Sequence, residues 1–547
     1  METISIVLIL MIAVIVSGVI SRMLPLPVPL PLVQIAFGAV IASVANLGVM
    51  LDPDVFFLLF IPPLLFLDGW RIPKEGLLRD KGTIIELALG LVVFTVVGLG
   101  FLINWMIPSM PLAVAFALAP IVSPTDPVAV SAIAARVAIP KRLMHILEGE
   151  SLLNDASGLV CMRFAVIAAL TGAFSLVEAS LTFLWLVAGG IVVGAGVTWS
   201  VSRLKNWISW KLGEDTGSQI LISLVIPFVA YLVAEHLHAS GILAAVAAGL
   251  VMSYAEQTGQ ALATTRIRRT GVWDTAQFAL NGAMFVLLGE QLPRIAAGAA
   301  EVVRQTGHHE PAWLVVYVFV INIALSALRF MWVWISLRFT MYRATRRGQN
   351  PERPSWRLVA ATSLAGVRGA ITLAGILTLP LVLADGSPFP ARDLAIFLAA
   401  GVIIFSLIGA SIALPILLNG LKLPPETYDQ RAEDRARVAA AEAAIRATEN
   451  AQSSLRESSA DAELYASSAA HLMDIYRQRI SVYSTGGTDE LEDRRRAQGV
   501  DDQLWMNALR AERDAIYREA RARRLSDEIA RKLVREIDLN EARLGIS

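Results

Sequence analysis

Residues 111–136 read PLAVAFALAPIVSPTDPVAVSAIAAR. The stretch is long and apolar enough to cross a bilayer, which takes about 20 such residues as a helix. Yet Pro120, Pro124 and Pro127 fall within eight residues of one another near its middle. Proline removes a backbone donor and clashes with the carbonyl four residues back, so a regular helix is not expected through Ser123–Asp126. Broken backbone at membrane depth is tolerated only where protein or a wet cavity covers it. The stretch therefore predicts a discontinuous span with Thr125 and Asp126 in the break, the kind of element secondary transporters use to hold ions.

About 13 apolar segments of this kind occur, near 3–21, 28–47, 54–70, 83–105, 110–135, 142–172, 180–202, 219–235, 239–255, 273–292, 313–337, 357–380 and 393–419. They predict an all-α, polytopic membrane domain over residues 1–421. Composition agrees: the 547-residue chain is 55% hydrophobic and 17% charged, where soluble domains average about 25% charged. The formal net charge of +0 hides two materials. Residues 1–421 hold 49 charged side chains and residues 422–547 hold 45, so the second segment reads as a charged, helical, cytoplasmic tail. Neither part has the basic excess of a nucleic-acid binder. The single cysteine, Cys161, excludes an internal disulfide framework and thiolate zinc sites. No phosphate-binding GxxxxGK[ST] loop, GxSxG elbow or HExxH helix is present, so neither an ATP-driven pump nor a hydrolase is expected, and no cofactor is implied.

Loop charges give an orientation. With the N-terminus outside, the cytoplasmic loops hold 20 Lys and Arg and the opposite loops hold 3, Arg294, Arg304 and Arg392. That asymmetry is what the positive-inside rule describes. It places the tail in the cytoplasm.

Ionisable groups within spans mark ion pathways. Residues 143–166 read LMHILEGESLLNDASGLVCMRFAV. Asp155 is 14 residues beyond Lys141, or about 21 Å along a helix, which is mid-membrane. Ser151 is four residues before Asp155 and shares its face, and Asn154 lies beside that face. A hydroxyl, an amide oxygen and a carboxylate converge there, hard donors suited to a small alkali cation. Residues 356–380 place Arg368 near the middle of a span, between Gly366 and Gly369. A guanidinium there requires a carboxylate partner, with Glu150, Glu148 and Asp126 as candidates. The two glycines permit close approach or local unwinding. Asp68 lies near the cytoplasmic end of its span, as a cavity-mouth carboxylate or an interfacial residue. Glu290 and Arg329 are assigned no role.

SPTDPVAV, EGESLLNDASG and SLAGVRGAITL, in that order and on these spans, resemble the signature regions of monovalent cation/proton antiporters of the NhaP and eukaryotic sodium/proton exchanger type. FIPPLLFLDGW, ending at Trp70, resembles the family's third-helix segment. The resemblance implies inverted repeats with crossed broken helices, and a homodimer in the plasma membrane with a mobile core. It implies that Asp155 holds either the cation or the proton, with Ser151 and Thr125 completing Na+ coordination. Asn154 precedes Asp155, as in the electroneutral branch. Glu150 would pair with Arg368, Asp126 would be the acid of the broken span, and Asp68 would lie on the ion passage. The implied activity is exchange of Na+, or Li+ or K+, for H+ by alternating access. A K+/H+ antiporter remains open, as does a monovalent cation channel using the same acidic pathway.

In the tail, residues about 428–482 and 500–544 read as helices interrupted at 484–488. Leu464, Leu472, Ile475 and Ile480, with Trp505, Leu509 and Ile516, are expected to form an apolar seam between them.

Overall fold

Backbone that cannot hydrogen-bond to lipid must satisfy itself internally, and every apolar segment named above carries helix in the structure, a computed structural model. It describes residues 2–24, 28–44, 53–126, 130, 141–171, 176–256, 262–305, 312–346, 355–383, 387–419, 427–456, 462–484, 488–522, 524–525 and 527–545. The chain divides into one unit over residues 1–421 and another over residues 422–547.

The first unit is built of α1 (Glu2–Met23), α2 (Leu30–Val44), α3 (Pro53–Arg71), α4 (Lys74–Arg79), α5 (Lys81–Ile85), a π-helical turn (Glu86–Leu91), α6 (Val92–Met106), α7 (Leu112–Val122), α8 (Lys141–Thr171), α9 (Leu176–Leu212), α10 (Thr216–His236), α11 (Gly241–Glu256), α12 (Ala263–Gln305), α13 (Ala312–Arg346), α14 (Trp356–Leu364), α15 (Ala370–Leu377) and α16 (Arg392–Leu418). Among the described residues there is no strand, only an isolated bridge between Val382 and Pro388. Several helices show their apolar side chains on the outside, as Leu181, Trp185, Val192 and Trp199 of α9 do. In a bilayer such a face meets lipid rather than water.

The closest helix contacts form two sets within the one unit, joined where α12 runs along α16. In one, α6 runs along α7, α7 along α8, and α13 and α14 along α16. In the other, α3 runs along α11, α9 along α11 and α2 along α12. Close approach in the second group depends on paired glycines. A Cβ on Gly249 would overlap the Phe66 carbonyl, and one on Gly69 would meet the Val246 carbonyl. Gly38 and Gly289 repeat the arrangement between α2 and α12, against the carbonyls of Val286 and Ile35. Without a hydrophobic drive between helices in lipid, such small-residue contacts let backbones approach and gain dispersion.

Two spans are interrupted. α7 ends at Val122, and Ser123–Asp126 leave the helix, as the prolines require. The remainder of that expected span, residues 127–129 and 131–135, lies outside the described residues. The span read at 357–380 is likewise two short helices, α14 and α15, joined by non-helical backbone through Gly366–Gly369.

The second unit holds α17 (Thr427–Arg456), α18 (Ala462–Ser484), α19 (Thr488–Arg521) and α20 (Asp527–Gly545). These are four helices where the sequence was read as two. α17 packs along α18 and α19 along α20. The expected seam is corrected in part: Leu509 is buried as expected, together with Ala441, Ala469, Val534 and Ile537, while Leu472, Ile475 and Trp505 lie exposed. The contacts are set within each hairpin of helices, so small alanines and the α20 residues displace the larger side chains from the seam.

Candidate functional site

The two interruptions meet. The Asp126 backbone N–H donates to the Val367 carbonyl at 2.7 Å, and Arg368 Nε donates to the Val122 carbonyl at 2.9 Å. Each break thus satisfies backbone groups the other has freed. Arg368 Nη1 also donates to the Gly366 carbonyl, and its backbone N–H donates to Ser406 Oγ at 3.1 Å. Its guanidinium therefore sits at the C-terminal ends of α7 and α14, where helix dipoles favour a cation. The Asp126 carboxylate lies against Gly369, the residue before α15, where a Cβ would collide with it. An acid is favoured at that helix N-terminus for the converse reason.

α8 passes beside the crossing. Gly158 makes this possible, because a Cβ there would press on the Pro120 carbonyl and the Pro124 ring. Ser157 Oγ donates to the Ala88 carbonyl at 2.8 Å, tying α8 to the π-helical turn. Glu150, Ser151, Asn154 and Asp155 of α8 are all buried. Two of them reach Thr125 in the break: Asn154 Nδ2 donates to Thr125 Oγ1 at 3.3 Å and to Glu150 Oε1 at 3.4 Å. Thr125 Oγ1 makes a longer bond of 3.5 Å to Glu150 Oε1. Among the described residues the amide oxygen of Asn154 has no hydrogen-bond partner, so it is an available acceptor in a buried site.

The two carboxylates of α8 differ in surroundings. The expected ion pair between Glu150 and Arg368 is replaced by one between Glu150 and Arg329 of α13. Arg329 grips both carboxylate oxygens, Nη1 to Oε1 and Nη2 to Oε2, the second at 2.7 Å, and its Nε donates to the Thr362 carbonyl at 3.2 Å. Gly366 leaves room for the Arg329 side chain, whose Cδ would lie 2.9 Å from a Cβ there. The physical reason is reach. Arg368 is spent on the carbonyls of Val122 and Gly366, and Arg329 approaches Glu150 in a planar, bidentate fork. The sequence held one signal for this residue, an arginine inside an apolar span, without indicating which acid it meets.

Asp155 is 4% exposed and is hydrogen-bonded by the Ser151 hydroxyl. Among the described residues no basic side chain pairs with it. Its carboxylate is within electrostatic range of Asp126, Asp68 and Glu150. Asp68 belongs to α3, in the other helix group, and interacts also with Arg71 and Glu148. Acids from both groups therefore converge on one buried region beside the crossed breaks. The residues singled out from sequence, Thr125, Asp126, Glu150, Ser151, Asn154, Asp155, Arg368 and Asp68, are gathered there.

The chain matches the family described as sodium/hydrogen exchanger, transmembrane, over residues 7–420. It is 40% identical over 551 residues to the uncharacterized Na(+)/H(+) exchanger YjcE of Escherichia coli (strain K12), covering 100% of this chain and 99% of that one. It is 44% identical over 420 residues to the sodium, potassium, lithium and rubidium/H(+) antiporter of Bacillus pumilus (strain SAFR-032), covering 76% of this chain and 61% of that one. The chain therefore spans about three fifths of the Bacillus relative. Its fold is similar to that of the sodium proton antiporter MjNhaP1 from Methanocaldococcus jannaschii, with a TM-score of 0.56 at 19% identity, covering 77% of this chain and 99% of that one.

Proposed function

The chain belongs to the transmembrane sodium/hydrogen exchanger family, and from that premise we propose that it exchanges Na+ for H+ electroneutrally through competition at Asp155. It is a multi-pass membrane antiporter and not an enzyme, and this removes the channel alternative. The observation that carries the reading is the contrast on α8: Glu150 is neutralised by Arg329, while Asp155 faces Ser151 and other acids. A carboxylate so placed has two mutually exclusive occupants. An alkali cation binds the ionised form, with Ser151, Thr125 and the Asn154 amide oxygen as neutral donors, and a proton displaces it.

Coupling follows if the empty, ionised carrier does not cross. The single negative charge of Asp155 is then neutralised on each crossing by one cation or one proton, so each cycle exchanges them one for one. Asn154 does not titrate and Glu150 is held in an ion pair, so neither adds a second proton. Alternating exposure arises from movement of one helix group against the other, with Asp68 on the passage between them. The orientation has the N-terminus outside and the tail in the cytoplasm, in the plasma membrane, with two copies forming the dimer. A second reading, transport of K+ as well, is favoured by the Bacillus relative, whose name includes potassium, lithium and rubidium.

Proteoliposome exchange, followed with a pH-sensitive dye while Na+, Li+ and K+ are scanned, tests this. Exchange should be nearly independent of imposed voltage and abolished in Asp155→Asn. Strong voltage dependence, or full activity in that variant, would overturn the reading.

A further inference from the structure

Away from the basic loops, a cavity of about 530 Å³ lies between the two helix groups. α8 lines it with Leu159, Met162 and Arg163, α3 with Phe57, and α10 with Tyr231 and Glu235. Arg163 is eight residues beyond Asp155 on α8, about 12 Å further along the helix. Between them, Leu159 and Met162 are buried and lie four and seven residues after Asp155, on its face of the helix.

Arg163 reaches across the cavity. Its Nη2 donates to Glu235 Oε1 at 2.9 Å and its Nη1 to Oε2 at 3.4 Å, and Tyr231 interacts with it as well. Glu235 is anchored in turn, because its Oε1 accepts the N–H of Gly241, the first residue of α11, at 3.2 Å. α8 otherwise packs chiefly on α7 and the π-helical turn, and α10 on α9 and α11. The pair is thus a side-chain tie between helices of the two groups, on one side of the ion site.

We propose that Arg163 and Glu235 form a latch that closes Asp155 to the face away from the basic loops. Resting on the alternating-access reading, it must part whenever the site is reached from that face. Its side chains are 36% and 31% exposed. A pair so exposed contributes little net stability, which suits a contact that breaks in every cycle. Leu159 and Met162 form the apolar plug beneath it.

A cysteine reporter tests the latch. In a Cys161→Ser chain, Leu159→Cys is labelled by a membrane-impermeant thiol reagent, in intact cells and separately in inside-out vesicles. Met162→Cys serves if the first reporter folds poorly. Glu235→Gln and Arg163→Gln should each speed labelling about fivefold, from one side of the membrane only, the shift that a pair of this exposure sustains. The exchanged pair, Arg163→Glu with Glu235→Arg, should slow it again. Unchanged labelling in both single variants, or equal acceleration from both sides, would overturn the latch. Failure of the antiporter reading is seen separately, as absence of cation-dependent proton exchange in the unsubstituted chain.

Discussion

Glu150 and Asp155 are five residues apart on one helix, and their neighbours give them different tasks. Glu150 is fully buried against Arg329. Removing one member of a buried pair leaves an uncompensated charge, which costs roughly 3–5 kcal/mol. Arg329→Met is therefore expected to lower the melting temperature and yield of purified protein severely. Adding Glu150→Gln should recover much of the loss, because no charge is then stranded. Arg368→Ala should be milder, since it frees two carbonyls rather than a carboxylate. The reverse order of stability would refute this assignment of partners. Here the sequence was informative about type and not about pairing. That Arg368 required a polar partner was legible from its depth. That the partner would be the two carbonyls of Val122 and Gly366 was not, because those carbonyls become available only when two breaks cross.

At the scale of elements, α7 ends just before Pro124, and the non-helical backbone at Gly366–Gly369 separates α14 from α15. The glycines there are spaces for particular neighbours, Gly366 for Arg329 and Gly369 for Asp126. Elsewhere they set the distance between helices. Gly289→Leu should wedge α12 from α2, an overpacking that costs about 1–3 kcal/mol or more. Gly271→Leu, on the same helix and with nothing among the described residues within 4 Å of its Cβ position, is the matched control. Equal thermal stability of the two variants would contradict the close-packing account. Helix identity was legible in the tail as well, but not its seam. An Ala/Glu/Arg-rich helix offers several shallow apolar stripes, and the partner helix selects among them.

At the scale of the whole molecule, each unit has its own buried residues, Leu398 and Phe66 among those of the first and Leu509 and Val534 among those of the second. Residues 1–421 alone should therefore fold and retain cation/proton exchange. Detergent-purified truncated chain, reconstituted and assayed with the pH dye, checks this. Loss of exchange with normal yield would show that the tail is needed for transport.

The sequence by itself determined that this chain is helical, crosses a membrane many times and breaks a span at Ser123–Asp126. These follow from local quantities: apolar length, proline geometry and rise per residue. Only the tertiary structure decided which charges meet. Glu150 goes to Arg329, Arg368 to the ends of two half-helices, Arg163 to Glu235, and Asp68 comes from the other helix group to the region of Asp155. Those pairings join residues up to 246 positions apart, and they depend on how the two breaks cross and which glycines let helices touch. No periodicity along the chain encodes that.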